Sequence, residues 1–403
     1  MSTSDRPLPD AAARSSARGE PRFARAVAIS VILAANLVLT LALPALARRH
    51  YGADSTERPV RVLSGGRPSF DVRSILRNET TTAQLFDAVR REKAILHFGT
   101  SESGIVGNLG AQLNAAVTDG PRLVVLAMMG MSPIHASLLF ARTEALGVET
   151  PPIILLLNPV YLTRSHDGIN EGWMGSVVRS PVFLQMNHEG LLDALPPDVA
   201  AIYRAHFARR QALRPLYAQQ YAGNLLYLGA HPGRDNPFDH HPPPMPAVPW
   251  DGRIPDYDEK RQVHRGYVPS DALAQDRWEV QTPDESLNLK GLHAIAGVLQ
   301  RQKAPALILI LPVNRAFYAA YGRDMDRFDT RYRDLRATIT EHATPDHLFV
   351  IDLFDEPRLT FGFEDRMHED EYGFHQLATW LAASPEYRRF LGVVEAYYAT
   401  DAR

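Results

Sequence analysis

The 403-residue chain contains no cysteine, so disulfides, thiolate metal sites and a cysteine nucleophile are all excluded. It has no strong charge of either sign: a formal net charge of -3 provides no general basic field, and broad nucleic-acid binding is not supported. Lysine stands only at 93, 260, 290 and 303, the other basic residues being arginine, which points to a GC-rich genome more than to a function. Long apolar runs are also scarce. There is one, Ala26 to Ala47, about 22 uncharged residues closed by Arg48-Arg49-His50, which is long enough to span a bilayer as a helix. What remains is a globular composition, 45% hydrophobic, sufficient to fill a sizeable core.

The expected organisation follows from these features. Residues 1–25 are a polar tail, 26–47 a transmembrane anchor, 48–80 a linker punctuated by Gly65-Gly66-Arg67-Pro68, and 81–398 an extracytoplasmic domain with insertions at about 160–300. A cleaved signal peptide is the rival reading, because Ala45-Leu46-Ala47 has the small-x-small form of a cleavage site. The apolar stretch exceeds the about 7 to 15 residues of a signal-peptide core, which favours the anchor. Arg6, Arg14, Arg18, Arg22 and Arg25 outnumber Arg48 and Arg49, placing the tail in the cytoplasm and the domain beyond the membrane.

Within the domain, short apolar runs alternate with helical spacing. Strands are expected at Ala94 to Phe98, Arg122 to Ala127, Ile153 to Leu157, Leu307 to Leu311 and Leu348 to Leu353. Helices are expected at 81–90, 106–117, 132–145, 199–213, 286–301, 323–342 and 373–398. Strands this uniformly apolar indicate a parallel sheet covered on both faces, a three-layer α/β/α domain. Its strand ends near Ser101, Gly130 and Asn158 should lie along one edge. Asp235 to Trp250 is too rich in proline for a helix or a central strand.

Ser101 is the residue to explain. The run Ala94-Ile95-Leu96-His97-Phe98 stops at Gly99-Thr100-Ser101, presenting a hydroxyl at the carboxyl edge of the sheet, where open α/β folds place their chemistry. A serine needs a base, and the base needs an acceptor to fix its tautomer. Asp365 and His368, three apart in Glu364-Asp365-Arg366-Met367-His368-Glu369, supply both from a single turn. The order Ser, Asp, His is that of α/β-hydrolases, but their nucleophile elbow requires glycine where Ser103 stands. Asp239-His240-His241 reads as a solvated loop, no third ligand having telling spacing, and His97 as a packed residue bonded to backbone.

Taken together, Gly99-Thr100-Ser101-Glu102, Leu311-Pro312-Val313-Asn314 with Tyr318 and Tyr321-Gly322, and Asp365-x-x-His368 with Tyr372-Gly373 resemble the SGNH (GDSL-like) hydrolase superfamily, and within it the DltD-like D-alanyl transfer proteins. The chain departs from that pattern at Thr100, usually Ser, and at Asn158-Pro159-Val160-Tyr161, where a Ser-Pro-Gln-Trp-like segment is usual. The resemblance implies a single-pass protein of the cytoplasmic membrane acting in D-alanylation of an envelope polymer. Its implied partners are a membrane-bound O-acyltransferase, an acyl carrier protein and a glycan acceptor. The chemistry would be acyl transfer through an acyl-Ser101, with His368 as base and Asp365 as its orienting acceptor. Oxyanion donors would be the backbone N–H groups of Ser101 and Gly130 and the side chain of Asn158, each donor worth about 2.7 to 4 kcal/mol. Glu102, Asn314 and Tyr318 would line the substrate pocket, and no metal or cofactor is required. An esterase or thioesterase using the same residues, and a non-catalytic scaffold presenting carrier or glycan to the O-acyltransferase, are the alternatives.

Overall fold

A computed structural model describes residues 23–35, 37–38, 86–100, 109–127, 132–145, 147–164, 166–168, 192–211, 250–267, 280–344, 346–359 and 362–400. Five strands form one parallel sheet: β1 (Ile95–Gly99), β2 (Leu123–Ala127), β3 (Ile153–Leu157), β4 (Ala306–Ile310) and β5 (Leu348–Asp352), in the order β2-β1-β3-β4-β5. Each of the five falls within a residue or two of an apolar run expected to form a strand. Alternation along the strands divides the interior in two. Leu96, Phe98, Leu155, Ile308 and Ile310 face one cluster, while Ile95, Ile154, Leu156, Leu307 and Leu309 face the other.

The first cluster is closed by α2 (Pro133–Ala145), α3 (Pro197–Gln211), α4 (Leu287–Gln302) and α6 (Met325–Thr340), with the short α5 (Arg315–Ala320) at its edge. The second is closed by α1 (Leu109–Ala116), α7 (Glu371–Ala383) and α8 (Pro385–Thr400). This is the three-layer arrangement. Local chemistry sets the helix starts: Ser286, Asn314, Asp324 and Asp370 each accept a backbone N–H three residues on, capping α4, α5, α6 and α7. Helix α4 crosses the start of α2 at Gly291, where a Cβ would stand 2.5 Å from the Ile134 backbone. Asn288 accepts the Ile134 N–H in the same contact (3.1 Å), satisfying one of the donors that a helix start leaves open.

Two expectations are corrected. The carboxyl-terminal helix expected over 373–398 is two helices, broken at Ser384-Pro385. Proline disfavours helical backbone in the residue before it and suits the first position of the next helix, and Ser384 accepts the Tyr387 N–H as its cap (3.3 Å). The expected membrane span at 26–47 falls only in part on described residues, and no helix among these is long and apolar enough to cross a membrane. Residues 23–35 and 37–38 are helical, with Phe23, Val27, Ile29, Val31, Ile32, Leu33, Leu37 and Val38 exposed, and residues 39–47 lie outside the described residues.

The second correction concerns His97. It is fully buried in the middle of β1, but neither ring nitrogen has a hydrogen-bond partner among the described residues, so it is packed without the backbone bond expected of it. Burial alone pushes its pKa down to about 4. The unfolded chain, with the ordinary histidine value near 6.5, therefore takes up a proton on unfolding between those two pH values. Stability is full above pH 6.5 and falls as pH drops toward 4, by about 3 kcal/mol for this residue. His97→Leu, of similar volume and with no polar atom to desolvate, is expected to flatten that decline. Denaturant midpoints at pH 7.5 and 5 would measure it, and an unchanged difference between the two would refute the assignment.

Candidate active site

The sheet order places the site. From β1 the chain moves outward to β2, then crosses back to β3 on the other side of β1, so connections leave β1 and β3 in opposite directions. In doubly wound sheets the crevice at such a reversal, outside the carboxyl ends of the strands, is where ligands bind. At that edge the Thr100 hydroxyl, buried, meets the Tyr161 hydroxyl at 2.9 Å, joining the end of β1 to the 3-10 turn Pro159–Leu162 that follows β3. Ser101, Glu102 and Gly130, and the Asp239-His240-His241 run, lie outside the described residues.

Asp365 and His368 are brought together in the turn that leads from β5 into α7. One Asp365 carboxylate oxygen accepts the backbone N–H groups of Met367 (2.8 Å) and His368 (2.7 Å). The other accepts from His368 Nδ1 at 2.7 Å. A carboxylate can only accept, so Nδ1 of the neutral ring carries the hydrogen and Nε2 is the basic nitrogen. The Asp365 side chain is 10% exposed and that of His368 25%, a buried acceptor behind an accessible ring. A bond from Glu364 N–H to the His368 carbonyl (2.9 Å) closes the turn.

Two asparagines at the ends of neighbouring strands hold this turn. Asn158, just past β3, uses Oδ1 to accept the Val160 N–H (3.0 Å) and Nδ2 to donate to the Met367 carbonyl (3.0 Å). The second Nδ2 hydrogen is not taken by any described residue. Asn314, past β4, accepts the Phe317 N–H (3.0 Å) and donates to the carbonyls of Asp365 (2.8 Å) and Gln262 (3.3 Å). All its amide groups are occupied and it is fully buried, so it is part of the frame rather than an open pocket wall. Tyr318 is 3% exposed in the core beneath. Burial and then the Asp365 charge push its hydroxyl well above the ordinary tyrosine range.

Sequence reasoning missed the buttress around the turn. Residues 256–265 form a small loop whose Val263 bridges Phe363 in parallel, with His264 N–H donating to the Phe363 carbonyl (3.1 Å). Tyr257 donates to Asp370 (2.6 Å), whose other oxygen caps α7. Only the asparagine-after-strand pattern, at Asn158-Pro159 and Pro312-Val313-Asn314, hinted at any of this.

The electrostatics are those of a half-buried polar turn. Burial, then the neighbouring Asp365, pushes Glu364 upward, while burial pulls Arg366 down. Arg366 Nη2 lies 3.1 Å from His166 Nε2, which must accept because a guanidinium only donates. His166 is held neutral, pushed down to about 4 by burial and then by that Arg366 charge. One serine–histidine pair occurs among the described residues, Ser132 Oγ and His135 Nδ1 at 2.8 Å, and it has a structural meaning. Both are buried at the start of α2, where His135 Nδ1 also takes the Ser132 N–H (3.3 Å), so the pair is a helix cap. A cleft of about 550 Å³, lined by Glu144, Asp193, His293 and Arg301, lies at the carboxyl ends of α2 and α4, away from the dyad, and there Arg301 is held by Glu144 in two bonds (2.6 and 2.7 Å).

The described part of the site thus contains an aspartate–histidine pair, two asparagines that hold its turn and a hydroxyl pair at the switch point. No group of three or more His, Asp or Glu side chains able to hold a metal ion occurs among the described residues. No protein-family model matches the chain, and no curated protein matches it.

Proposed function

We propose that the chain is a serine-dependent acyltransferase of SGNH type that works through an acyl-Ser101 intermediate. The observation that carries this reading is the Asp365–His368 pair, oriented with Nε2 as the base and mounted over the carboxyl ends of β3 and β4. Ser101 follows Thr100 directly in the chain, and Thr100 stands just past β1 at the switch point. In this reading His368 takes the Ser101 proton as Oγ attacks the acyl carbonyl. The imidazolium is stabilised by Asp365, and the same proton then goes to the leaving group. The tetrahedral oxyanion is met by the Asn158 amide and by the backbone N–H groups of Ser101 and Gly130. An acceptor hydroxyl, deprotonated by His368, attacks the acyl-enzyme and regenerates the serine.

The substrates in this proposal are those of the DltD-like proteins that the motifs resemble: an activated D-alanyl or other short acyl donor and a cell-envelope glycan. The exposed apolar helix at residues 23–38, residue 36 aside, is read as the start of a single-pass anchor that holds the domain beyond the cytoplasmic membrane. A membrane-bound O-acyltransferase and an acyl carrier are the partners this reading entails.

The test is covalent capture. A fluorophosphonate is expected to label the folded chain at Ser101, with the adduct located by mass spectrometry, and Ser101→Ala is expected to remove the label without loss of folding. An unlabelled wild-type chain would favour the scaffold. Incubating an acyl donor with and without envelope glycan then separates transferase from esterase, since free acid as the sole product with glycan present would argue for hydrolysis.

A further inference from the structure

We propose that Asn314 is a positioning residue for His368, acting through the Asp365 main chain; the inference rests on the serine-acyltransferase reading above. The geometry is a relay of three rigid steps. Strand β4 is followed directly by Leu311-Pro312-Val313, fixing where the Asn314 backbone leaves the sheet. Its Oδ1 is tied to the Phe317 N–H at the start of α5, which sets the plane of the amide. Both Nδ2 hydrogens then point at carbonyls, of Asp365 at 2.8 Å and of Gln262 at 3.3 Å.

What passes along this relay is position. The Asp365 carbonyl is held by Asn314, and the carboxylate of the same residue accepts three donors: Met367 N–H, His368 N–H and His368 Nδ1. A shift of the Asp365 main chain therefore carries the imidazole with it. The Asn158 bond to the Met367 carbonyl fixes the far side of the turn, so each of two adjacent strands contributes one clamp. The Gln262 carbonyl gives the Asn314 clamp a second function. Gln262 sits in left-handed backbone (φ 53°), and its carbonyl joins the 256–265 loop to the same amide. The middle insertion is thereby part of the apparatus that aims the base, which assigns a role to a segment with no chemistry of its own.

The experiment separates capping from clamping. Serine is as good a helix cap as asparagine but has no amide to donate, so Asn314→Ser keeps the Phe317 bond and removes both clamps. Asn314→Asp also keeps the acceptor, with the same shape and no N–H. Either folded variant is expected to show a fluorophosphonate labelling rate, and a kcat on a p-nitrophenyl acyl ester, lower by about 10- to 100-fold. KM should stay within about twofold, because substrate contacts are untouched. A purely structural asparagine would lower the unfolding midpoint and leave the rates of the folded fraction unchanged, and that result overturns the proposal. In the wild-type chain, both Asn314 side-chain amide protons are expected to be protected from exchange in D2O, and fast exchange of either would equally overturn it. A wild-type chain that does not label at all refutes the serine reading itself, whereas normal labelling by wild type and Asn314→Ser alike refutes only the clamp.

Discussion

Replacing His368 with alanine is expected to slow acyl transfer by about 10²–10⁴-fold, the usual contribution of a positioned acid–base group, while leaving the fold intact. The fold should survive because the His368 ring is a quarter exposed and its bonds to the turn are made largely by its backbone. Its N–H reaches Asp365 and its carbonyl accepts from Glu364. Asp365→Asn is the more informative change. The Asn carbonyl oxygen can still accept the Met367 and His368 N–H groups, so the turn can close. That choice turns the NH2 toward His368 Nδ1, which must then accept, and the ring hydrogen moves to Nε2. The base is converted to a donor at the position where Ser101 must give up its proton, a tautomer error that costs about 10⁴-fold in serine enzymes of comparable geometry. Turnover of an acyl ester, set beside circular dichroism and the unfolding midpoint, would check both variants. Wild-type turnover by folded His368→Ala would remove the dyad from the mechanism.

The contrast between what could and could not be read from the chain has a physical basis. The strands were legible because a parallel sheet covered on both faces demands unbroken apolar runs, and Ile153–Leu157 or Ala306–Ile310 can satisfy nothing else. The Asp365–His368 pair was legible because both partners sit on one turn, where a spacing of three determines who can touch whom. Its frame was not. The Asn158 bond to Met367 spans 209 positions and the Asn314 bond to Asp365 spans 51, and no local pattern encodes a contact that exists only once the sheet has assembled. His97 shows the opposite failure. A buried histidine ordinarily finds a backbone partner, but the middle of β1 has its backbone groups committed to the ladders with β2 and β3. The break at Ser384-Pro385 was written in the sequence, and the aromatic spacing on either side of it masked the signal.

Besides its asparagine clamps, the turn carrying the dyad rests on one close backbone contact, and Gly373→Ala is expected to destroy it. Gly373 lies in the first turn of α7 against Gly362, which has a positive φ of 96° and begins the loop that carries Asp365 and His368. A Cβ on residue 373 would stand 2.0 Å from the Gly362 carbonyl oxygen and 3.1 Å from Glu369 Cβ. The carbonyl cannot swing aside freely, because it accepts the Asp370 N–H at 2.9 Å. Nor can the helix start retreat without loss: the Gly373 N–H is the donor that Asp370 caps, and Asp370 is also the anchor for Tyr257. Forcing a methyl group into such a contact costs about 1–3 kcal/mol, and losing the cap adds about 1 kcal/mol. The unfolding midpoint should therefore fall by several degrees, and acyl-ester turnover should fall even in the fraction that stays folded, since the displaced segment is the one that aims His368. Gly392→Ala is the matched control. It sits in α8 with no atom within 4 Å of the added methyl, and alanine there should stabilise the helix by about 1 kcal/mol without changing turnover. If Gly373→Ala melts with the wild-type protein, the Gly362–Gly373 contact is not what holds the dyad in place.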